Sequence, residues 1–166
     1  MKKFICISLV AILACSVLSI AAQGKKKPSK TEKREMLATK VKDSIDHKTF
    51  TINVNMAYPM SHAAINLTSN YSLRLAGDSL ISYLPYYGRA FRVPYGGGKA
   101  LNFSAKIKDC TISYPKKNRT RIHITVSSDE DTYQYDIDVF DNASTTISVI
   151  SNEREFISFS GTLDTK

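Results

Sequence analysis

From Thr49 to the end of the chain, apolar and polar residues alternate with a period of two. Successive side chains of a β-strand point to opposite faces, so each alternating run predicts a strand with one buried and one solvated face. A chain made of many such runs has to bury their apolar faces against one another, which restricts it to sheets that curl or pack together. The runs lie at residues 49–56, 71–75, 80–84, 101–107, 110–114, 122–126, 133–139, 145–150 and 157–163.

Short polar turns join these runs, as at Gly77-Asp78, Pro115–Asn118 and Asp141-Asn142, and no helical pattern intervenes. Short connections favour antiparallel neighbours. We therefore predict a mainly β fold, a single antiparallel meander of about eight or nine strands that forms a curled sheet, a half-barrel or a sandwich. The apolar phase changes near Lys108-Asp109, which predicts a bulge at that point.

The runs at 119–127 and 132–140 predict their own register. When their apolar residues are aligned across the turn at Asp129-Glu130, opposite charges face each other on the polar side, which favours the pairing. The predicted pairs are Ile122 with Ile137, Ile124 with Tyr135, Arg121 with Asp138, and His123 with Asp136.

A helix is predicted ahead of the strands. Ser29 and Glu32 have the spacing of a capping box, in which each side chain accepts a hydrogen bond from the other residue's backbone. Residues 31–166 are therefore predicted to form a single β-rich domain with an N-terminal helix. Apolar residues recur every four positions along this helix and predict a narrow stripe that docks on the sheet: Leu37, Val41 and Ile45, with Met36 beside them.

The first 22 residues have the three parts of a secretory signal peptide: basic Lys2-Lys3, an apolar run from Phe4 to Ile20, and small residues before the cleavage site. We predict export to the periplasm or the medium, with cleavage after Ala22. An alternative is left open, because Ile12-Leu13-Ala14-Cys15 resembles a lipobox. In that case Cys15 would be lipidated and the protein would be an outer-membrane lipoprotein.

The positive charge is concentrated near the N-terminus. The chain has a formal net charge of +8, of which Lys2 and Lys3 contribute two. Residues 25–48 carry nine basic and four acidic residues, whereas residues 49–166 carry twelve and eleven. We predict a flexible basic lead at residues 23–30. The basic segment at 25–48 is interpreted either as a solvated helix on a tether or as an electrostatic attachment to an anionic surface, which salt would abolish. A nearly neutral body in an exported protein argues against nucleic-acid binding.

No pattern for a metal or cofactor stands out. The three histidines, His47, His62 and His123, are far apart, and no paired-cysteine or His-Glu-x-x-His spacing occurs. The glycine triplet at 96–98 lacks the Lys-Ser/Thr that follows a phosphate-binding loop. Cys110 is the only cysteine outside the signal, and its alternating context predicts a buried small side chain. We therefore predict neither a metal site nor a cofactor.

One segment, from Tyr83 to Gly98, breaks the alternation. It combines tyrosines and arginines, which are typical of binding surfaces, with two prolines that stiffen the chain and glycines that free it. It is interpreted either as a binding loop or as an aromatic plug for one end of the sheet. For the binding loop, the candidate ligand-contacting residues are Tyr83, Tyr86, Tyr87, Arg89, Phe91, Arg92 and Tyr95.

Within that segment, the run Leu84-Pro85-Tyr86-Tyr87-Gly88-Arg89-Ala90 resembles the signature of a family of secreted Gram-negative proteins, domain of unknown function 4251. The flanking runs around Phe50 and Ile157 are similar too, so the resemblance spans roughly the whole mature body. It implies export and a single domain, and it implies no activity. Asn142 stands where the family pattern tends to carry glycine.

These observations predict an exported binding or interaction module of the cell envelope, whose partner is a small molecule, a glycan or a protein. Two alternatives remain. A hydrolase acting on envelope or glycan material would use His123, Asp136 and Asp138, because side chains two apart on one strand share a face. A structural envelope protein would instead carry a self-association surface.

Overall fold

Within the part of the chain that the structure describes, eight strands follow one helix. The computed structural model describes residues 29–92, 98–116 and 118–165, without the side chain of Lys116. The predicted signal peptide, the lipidation site, the basic lead up to Pro28 and Tyr95 lie outside the described residues. The elements are α1 (Lys30–Asp46), β1 (Thr49–Pro59), β2 (Ile65–Ala76), β3 (Ser79–Tyr83), β4 (Asn102–Lys116), β5 (Arg119–Ser127), β6 (Thr132–Phe140), β7 (Ser144–Ser151) and β8 (Ile157–Leu163).

Every strand pairs antiparallel with its successor, and β8 pairs with β1, so the meander closes into a barrel. The prediction of a mainly β, antiparallel meander with one N-terminal helix is confirmed. Closure removes the two free sheet edges that an open meander would present. Residues 32–166 form one compact unit.

The β1–β8 seam depends on a glycine. Gly161 lies opposite Val54, where β1 changes register before Met56. A Cβ on Gly161 would overlap the carbonyl oxygen of Asn53 and would lie 3.0 Å from the Cα of Val54. The absence of a side chain at Gly161 therefore lets the two strands approach closely enough to close the barrel.

The inward-facing side chains fill the barrel with a hydrophobic core, as expected for a barrel of this strand number. Tyr135 is fully buried, and its hydroxyl donates a hydrogen bond to Ser82 Oγ at 3.2 Å. Burial raises the pKa of Tyr135 far above its usual value. Other fully buried side chains are Ile52, Leu73, Leu75, Leu80, Ile122, Ile124, Ile137, Ile147 and Phe159.

The helix closes one end of the barrel, which we call the helix end. Val41 and Ile45 are buried in the core, as the predicted stripe requires, whereas Met36 is 59% exposed. The Tyr114 hydroxyl donates to Asp46 Oδ1 at 3.0 Å and ties β4 to the last turn of the helix. The chain then leaves the helix through Lys48, which has a left-handed φ of 51°.

The predicted details of β4–β6 are also confirmed. All four predicted pairs between β5 and β6 are present in the register of the barrel. The pairing of β4 with β5 shifts between Ile107 and Asp109, where the bulge was predicted. The turn at Gly77 has the left-handed φ of 64° that glycine adopts without strain.

Across residues 29–92, 98–116 and 118–165, no helix has the length and apolar character needed to span a bilayer.

Candidate functional site

The barrel end opposite α1, which we call the loop end, carries the connections between β1 and β2, β3 and β4, β5 and β6, and β7 and β8. Residues 84–92, the crossing segment, run from the end of β3 to the connection before β8. There Ala90 forms a bridge with Arg154, and the Phe91 amide donates to the Glu153 carbonyl at 2.8 Å. Because β3 and β8 are not neighbours, the segment crosses the end of the barrel.

Tyr86 anchors the crossing segment. Its hydroxyl donates to the carbonyls of Arg89 at 2.8 Å and Glu155 at 2.9 Å. Burial, and then the nearby Glu155 carboxylate, raise the pKa of Tyr86. A Cβ on Gly88 would overlap the Tyr86 hydroxyl, so any other residue there would displace the tyrosine ring from this position. Tyr86 thus performs the structural task that the plug interpretation assigns to the loop's aromatic residues.

Glu155 connects three segments of the loop end. Its Oε2 accepts hydrogen bonds from Ser61 Oγ and from the Arg89 amide, both at 3.1 Å. Its own amide donates to the Arg89 carbonyl at 2.9 Å. Arg89 Nε lies 4.0 Å from Glu155 Oε1, but the arginine side chain is 80% exposed, so this ion pair adds little stability.

A buried arginine lies beneath the crossing segment. Arg154 is 7% exposed, its Nη2 donates to Glu130 Oε2 at 3.1 Å, and its guanidinium lies 5.5 Å from the Tyr86 ring centroid. Glu130 Oε1 also accepts a hydrogen bond from the Lys99 amide at 2.6 Å. A Cβ on Gly98 would lie 2.7 Å from Glu130 Oε2, so this glycine allows the chain to return to β4 past the ion pair.

A second carboxylate joins the connection between β5 and β6 to the one between β7 and β8. Asp131 is buried and accepts hydrogen bonds from the Thr132 amide at 2.6 Å, the Glu153 amide at 3.1 Å and the Ser151 hydroxyl. Its oxygens are thus occupied by protein donors. The backbone of the loop end is therefore held by carboxylates from two of its connections.

The predicted contact residues divide into three groups. Arg89, Phe91 and Arg92 lie on the crossing segment with exposed side chains, and Phe91 is 69% exposed. Tyr86 and Tyr87 are half-buried against the core. Tyr83 lies apart from both groups on β3, where its ring stacks on Tyr71 with centroids 5.4 Å apart.

Four charged residues of this site were not singled out from the sequence, namely Glu130, Asp131, Arg154 and Glu155. Their only signal was the charge in and beside two predicted turns, at Asp129-Glu130 and at residues 151–154. Charged residues are common in turns, so that signal did not distinguish a solvated turn from a buried ion pair.

Several cavities border the described residues. A cavity of about 270 Å³ lies beside the crossing segment, and one of about 500 Å³ lies between the ends of β4 and β5. Two grooves of about 610 and 630 Å³ flank α1. Among the described residues, no three His, Cys, Asp or Glu side chains are grouped so that they could hold a metal ion. The residues lining the smallest cavity are Arg92, Asp129, Glu130, Asp131, Glu153 and Arg154.

The residues of the hydrolase alternative lie on the outer wall of the barrel. His123 Nδ1 is 2.8 Å from Asp136 Oδ1, and their side chains are 37% and 42% exposed. Arg121 makes two 2.9 Å hydrogen bonds to Asp138, which lower the pKa of that carboxyl. None of these residues lines any of the four cavities above. The two pairs stabilise the strand register.

A family model described as domain of unknown function (DUF4251) matches residues 32–163. The chain belongs to the DUF4251 family. The resemblance predicted from the run at 84–90 is thereby confirmed. A similar fold occurs in the crystal structure of a DUF4251 family protein from Bacteroides eggerthii DSM 20697, with a TM-score of 0.58 and 13% sequence identity. That match covers 77% of this chain and 87% of the other. No curated protein matches the sequence.

The run that resembles the DUF4251 signature has a physical explanation in this structure. Leu84 is fully buried, Tyr86 is hydrogen-bonded to two carbonyls, and Gly88 leaves room for the Tyr86 hydroxyl. These residues fix the backbone of the crossing segment. In the turn where glycine is usual, the left-handed residue is Ala143, with a φ of 64°, and not Asn142. Asn142 instead accepts hydrogen bonds from Ser144.

Proposed function

We propose that this DUF4251 protein is an exported binding module of the cell envelope that contacts its partner through Arg89, Phe91 and Arg92. One observation carries the proposal: these side chains are exposed on a backbone that is hydrogen-bonded to the connection before β8. A fixed backbone loses little conformational entropy on binding, and aromatic and arginine side chains dominate the energetics of many interfaces.

The shape of the loop end favours an extended partner over an enclosed small molecule. The neighbouring cavity of about 270 Å³ is at the lower limit of ordinary small-molecule sites, which span about 300–1,000 Å³. Phe91, in contrast, is 69% exposed. A glycan chain or a protein segment could lie across this aromatic ring and the flanking arginines.

Export is part of the proposal and rests on the signal-peptide pattern of residues 1–22. It is tested by the mass of the mature N-terminus in soluble and membrane fractions. A chain that begins near Gln23 supports simple cleavage, whereas a lipid-modified chain that begins at Cys15 supports anchorage. An intact N-terminus in the cytoplasmic fraction would contradict export.

Binding is tested with isolated cell envelopes of the source organism, using co-sedimentation of the purified protein. We expect the double variant Phe91→Ala/Arg92→Ala to lower envelope binding at least about tenfold. Met36→Ala is a suitable control, because Met36 is 59% exposed at the helix end. Equal binding by both variants, with unchanged thermal unfolding, would contradict the proposed contact surface.

A further inference from the structure

The outer faces of β7, β8 and β1 form a continuous wall without charge. β8 pairs with β7 on one side and with β1 on the other, so the three strands are adjacent. None of them contains Asp, Glu, Lys, Arg or His. Their outward side chains carry hydroxyl and amide groups, among them Asn53, Thr146, Ser148, Ser158, Ser160 and Thr162.

The rest of the barrel wall differs from this one. The outer faces of β4, β5 and β6 carry charges of both signs, including Lys106, Lys108, Arg121, Asp136 and Asp138. The charged residues of β6 border the uncharged wall on the β7 side. On the other side, β2 contributes Arg74, opposite Thr51 of β1. An uncharged area with charged borders has the layout of a protein interface, whose centre is depleted in charged residues.

Large apolar side chains lie exposed at one end of this wall. Ile157 of β8 pairs with Pro59 and with Val149, so Met60, Phe156 and Ile150 are the residues next to these pairs at the same end of the wall. Met60 is 69% exposed, Ile150 45%, Tyr58 41% and Phe156 38%. Aromatic residues and methionine are enriched in interfaces, and clustered apolar exposure marks interaction sites.

The lack of charge also indicates the kind of partner. In a two-fold symmetric dimer, each residue near the axis faces its own copy, so a charged residue there would meet a like charge. Residues 49–166 carry twelve basic and eleven acidic residues, so repulsion between two barrels is small, and a face without charge adds none. A different protein partner would commonly be recognised by complementary charges, and this wall offers none.

We propose that two copies of this protein associate through the outer faces of β7, β8 and β1. The interface lies on strands that do not include the crossing segment, and its proposal does not depend on the proposed binding function. Three strands about 4.8 Å apart, adjacent over the seven residues of β8, present a flat footprint of roughly 350 Å². This is below the roughly 800 Å² per partner of stable complexes, so the dimer is weak and its population depends on concentration.

The test is sedimentation equilibrium of the purified protein over a wide concentration range, at low and at high salt. We expect a reversible monomer–dimer equilibrium that does not weaken with salt, because the contact has no charges to screen. A monomer at every concentration, or a dimer that salt dissociates, would overturn the proposal. If the protein is monomeric at every concentration, the uncharged wall would instead be a contact surface for a different protein.

Two pairs of matched variants locate the interface. Phe156→Glu should weaken the dimer at least about tenfold, and Ile81→Glu should not. Both residues are 38% exposed, but Ile81 lies on β3, away from the wall. Ser158→Arg should weaken the dimer as Phe156→Glu does, and Thr111→Arg on β4 is its control. If Phe156→Glu fails to fold, the comparison of Ser158→Arg with Thr111→Arg still tests the interface. If Ile81→Glu or Thr111→Arg dissociates the dimer as strongly as the wall variant with which it is matched, the interface does not lie on β7, β8 and β1.

Discussion

The backbone of Gly161 lies directly against the carbonyl oxygen of Asn53 across the β1–β8 seam. A Cβ at Gly161 would overlap that oxygen and would lie 3.0 Å from the Asn53 carbonyl carbon. Because the overlapped atoms belong to the backbone of a paired strand, a Cβ at Gly161 could be accommodated only if β1 and β8 moved apart. Closure of the barrel and the lack of a side chain at this position are therefore linked.

Gly161→Ala should lower the free energy of unfolding by about 2–4 kcal/mol, measured by urea denaturation. Gly77→Ala provides the control. Gly77 has a left-handed φ of 64°, but a Cβ there would have nothing within 4 Å, so we expect it to cost only about 1 kcal/mol. If Gly161→Ala lowers the free energy of unfolding by no more than Gly77→Ala does, the overlap with Asn53 is not the reason that the β1–β8 seam requires glycine.

Removing the Tyr86 hydroxyl should loosen the crossing segment. Tyr86→Phe leaves the carbonyls of Arg89 and Glu155 without this donor, at a cost of about 1–2 kcal/mol. Hydrogen exchange at the Phe91 amide, which donates to Glu153, should become faster. Tyr87→Phe should change neither quantity, because the Tyr87 hydroxyl has no hydrogen-bond partner among the described residues. Similar effects from both variants would show that ring packing alone holds the segment.

The Arg121–Asp138 pair should make stability depend on pH in the acid range. Hydrogen bonds from Arg121 lower the pKa of Asp138 in the folded state, so the pair stabilises the protein above the unfolded pKa of about 3.9. That contribution disappears as the pH falls through the lower folded pKa. Arg121→Ala should therefore destabilise the protein at pH 7 and have almost no effect below the folded pKa.

Urea denaturation at several pH values measures this dependence. Arg74→Ala on the outer face of β2 is the control, since no hydrogen bond or ion pair joins Arg74 to another described residue. A cost of Arg121→Ala that stays constant down to the most acidic pH would contradict the assignment to Asp138.

Lys48 offers a stabilising substitution. Its amide donates to the Ile45 carbonyl at 2.9 Å, and its φ of 51° places a side chain in a conformation that favours glycine. Lys48→Gly should raise the free energy of unfolding by about 0.5–1 kcal/mol. Lys42→Gly, within α1, should instead lower it by about 1 kcal/mol. If Lys48→Gly lowers the free energy of unfolding, the Lys48 side chain stabilises the fold by more than its left-handed φ destabilises it.

The β5–β6 register was predictable because two patterns agree on it. Alternation fixes which residues of each strand face inward, and only one alignment also places Arg121 opposite Asp138. Barrel closure was not predictable in the same way, since an open meander has the same period of two. Closure depends on the approach of Asn53 to Gly161, which are far apart in the sequence.

The site was predicted only in part, for a similar reason. The composition of the run at 83–95 indicated a special loop, but it could not separate anchoring side chains from exposed ones. Tyr86 is an anchor because its hydroxyl reaches the Glu155 carbonyl, 69 residues further along the chain. The side chains of Arg89 and Phe91 are instead exposed to solvent. The apolar stripe of α1 likewise predicted Val41 and Ile45 correctly, while Met36 falls outside the contact with the barrel.

The pairing of the first strand with the last has a consequence for how the protein acquires its structure. Ile52 pairs with Leu163, so the ring cannot be completed until nearly the whole chain is available. Contacts between such distant residues form slowly, because much of the chain's freedom has to be lost first. A chain emerging N-terminus first would hold β1 with one edge unpaired until β8 follows. During that interval the unpaired edge could join a neighbouring chain, so we expect refolding yields to fall as protein concentration rises.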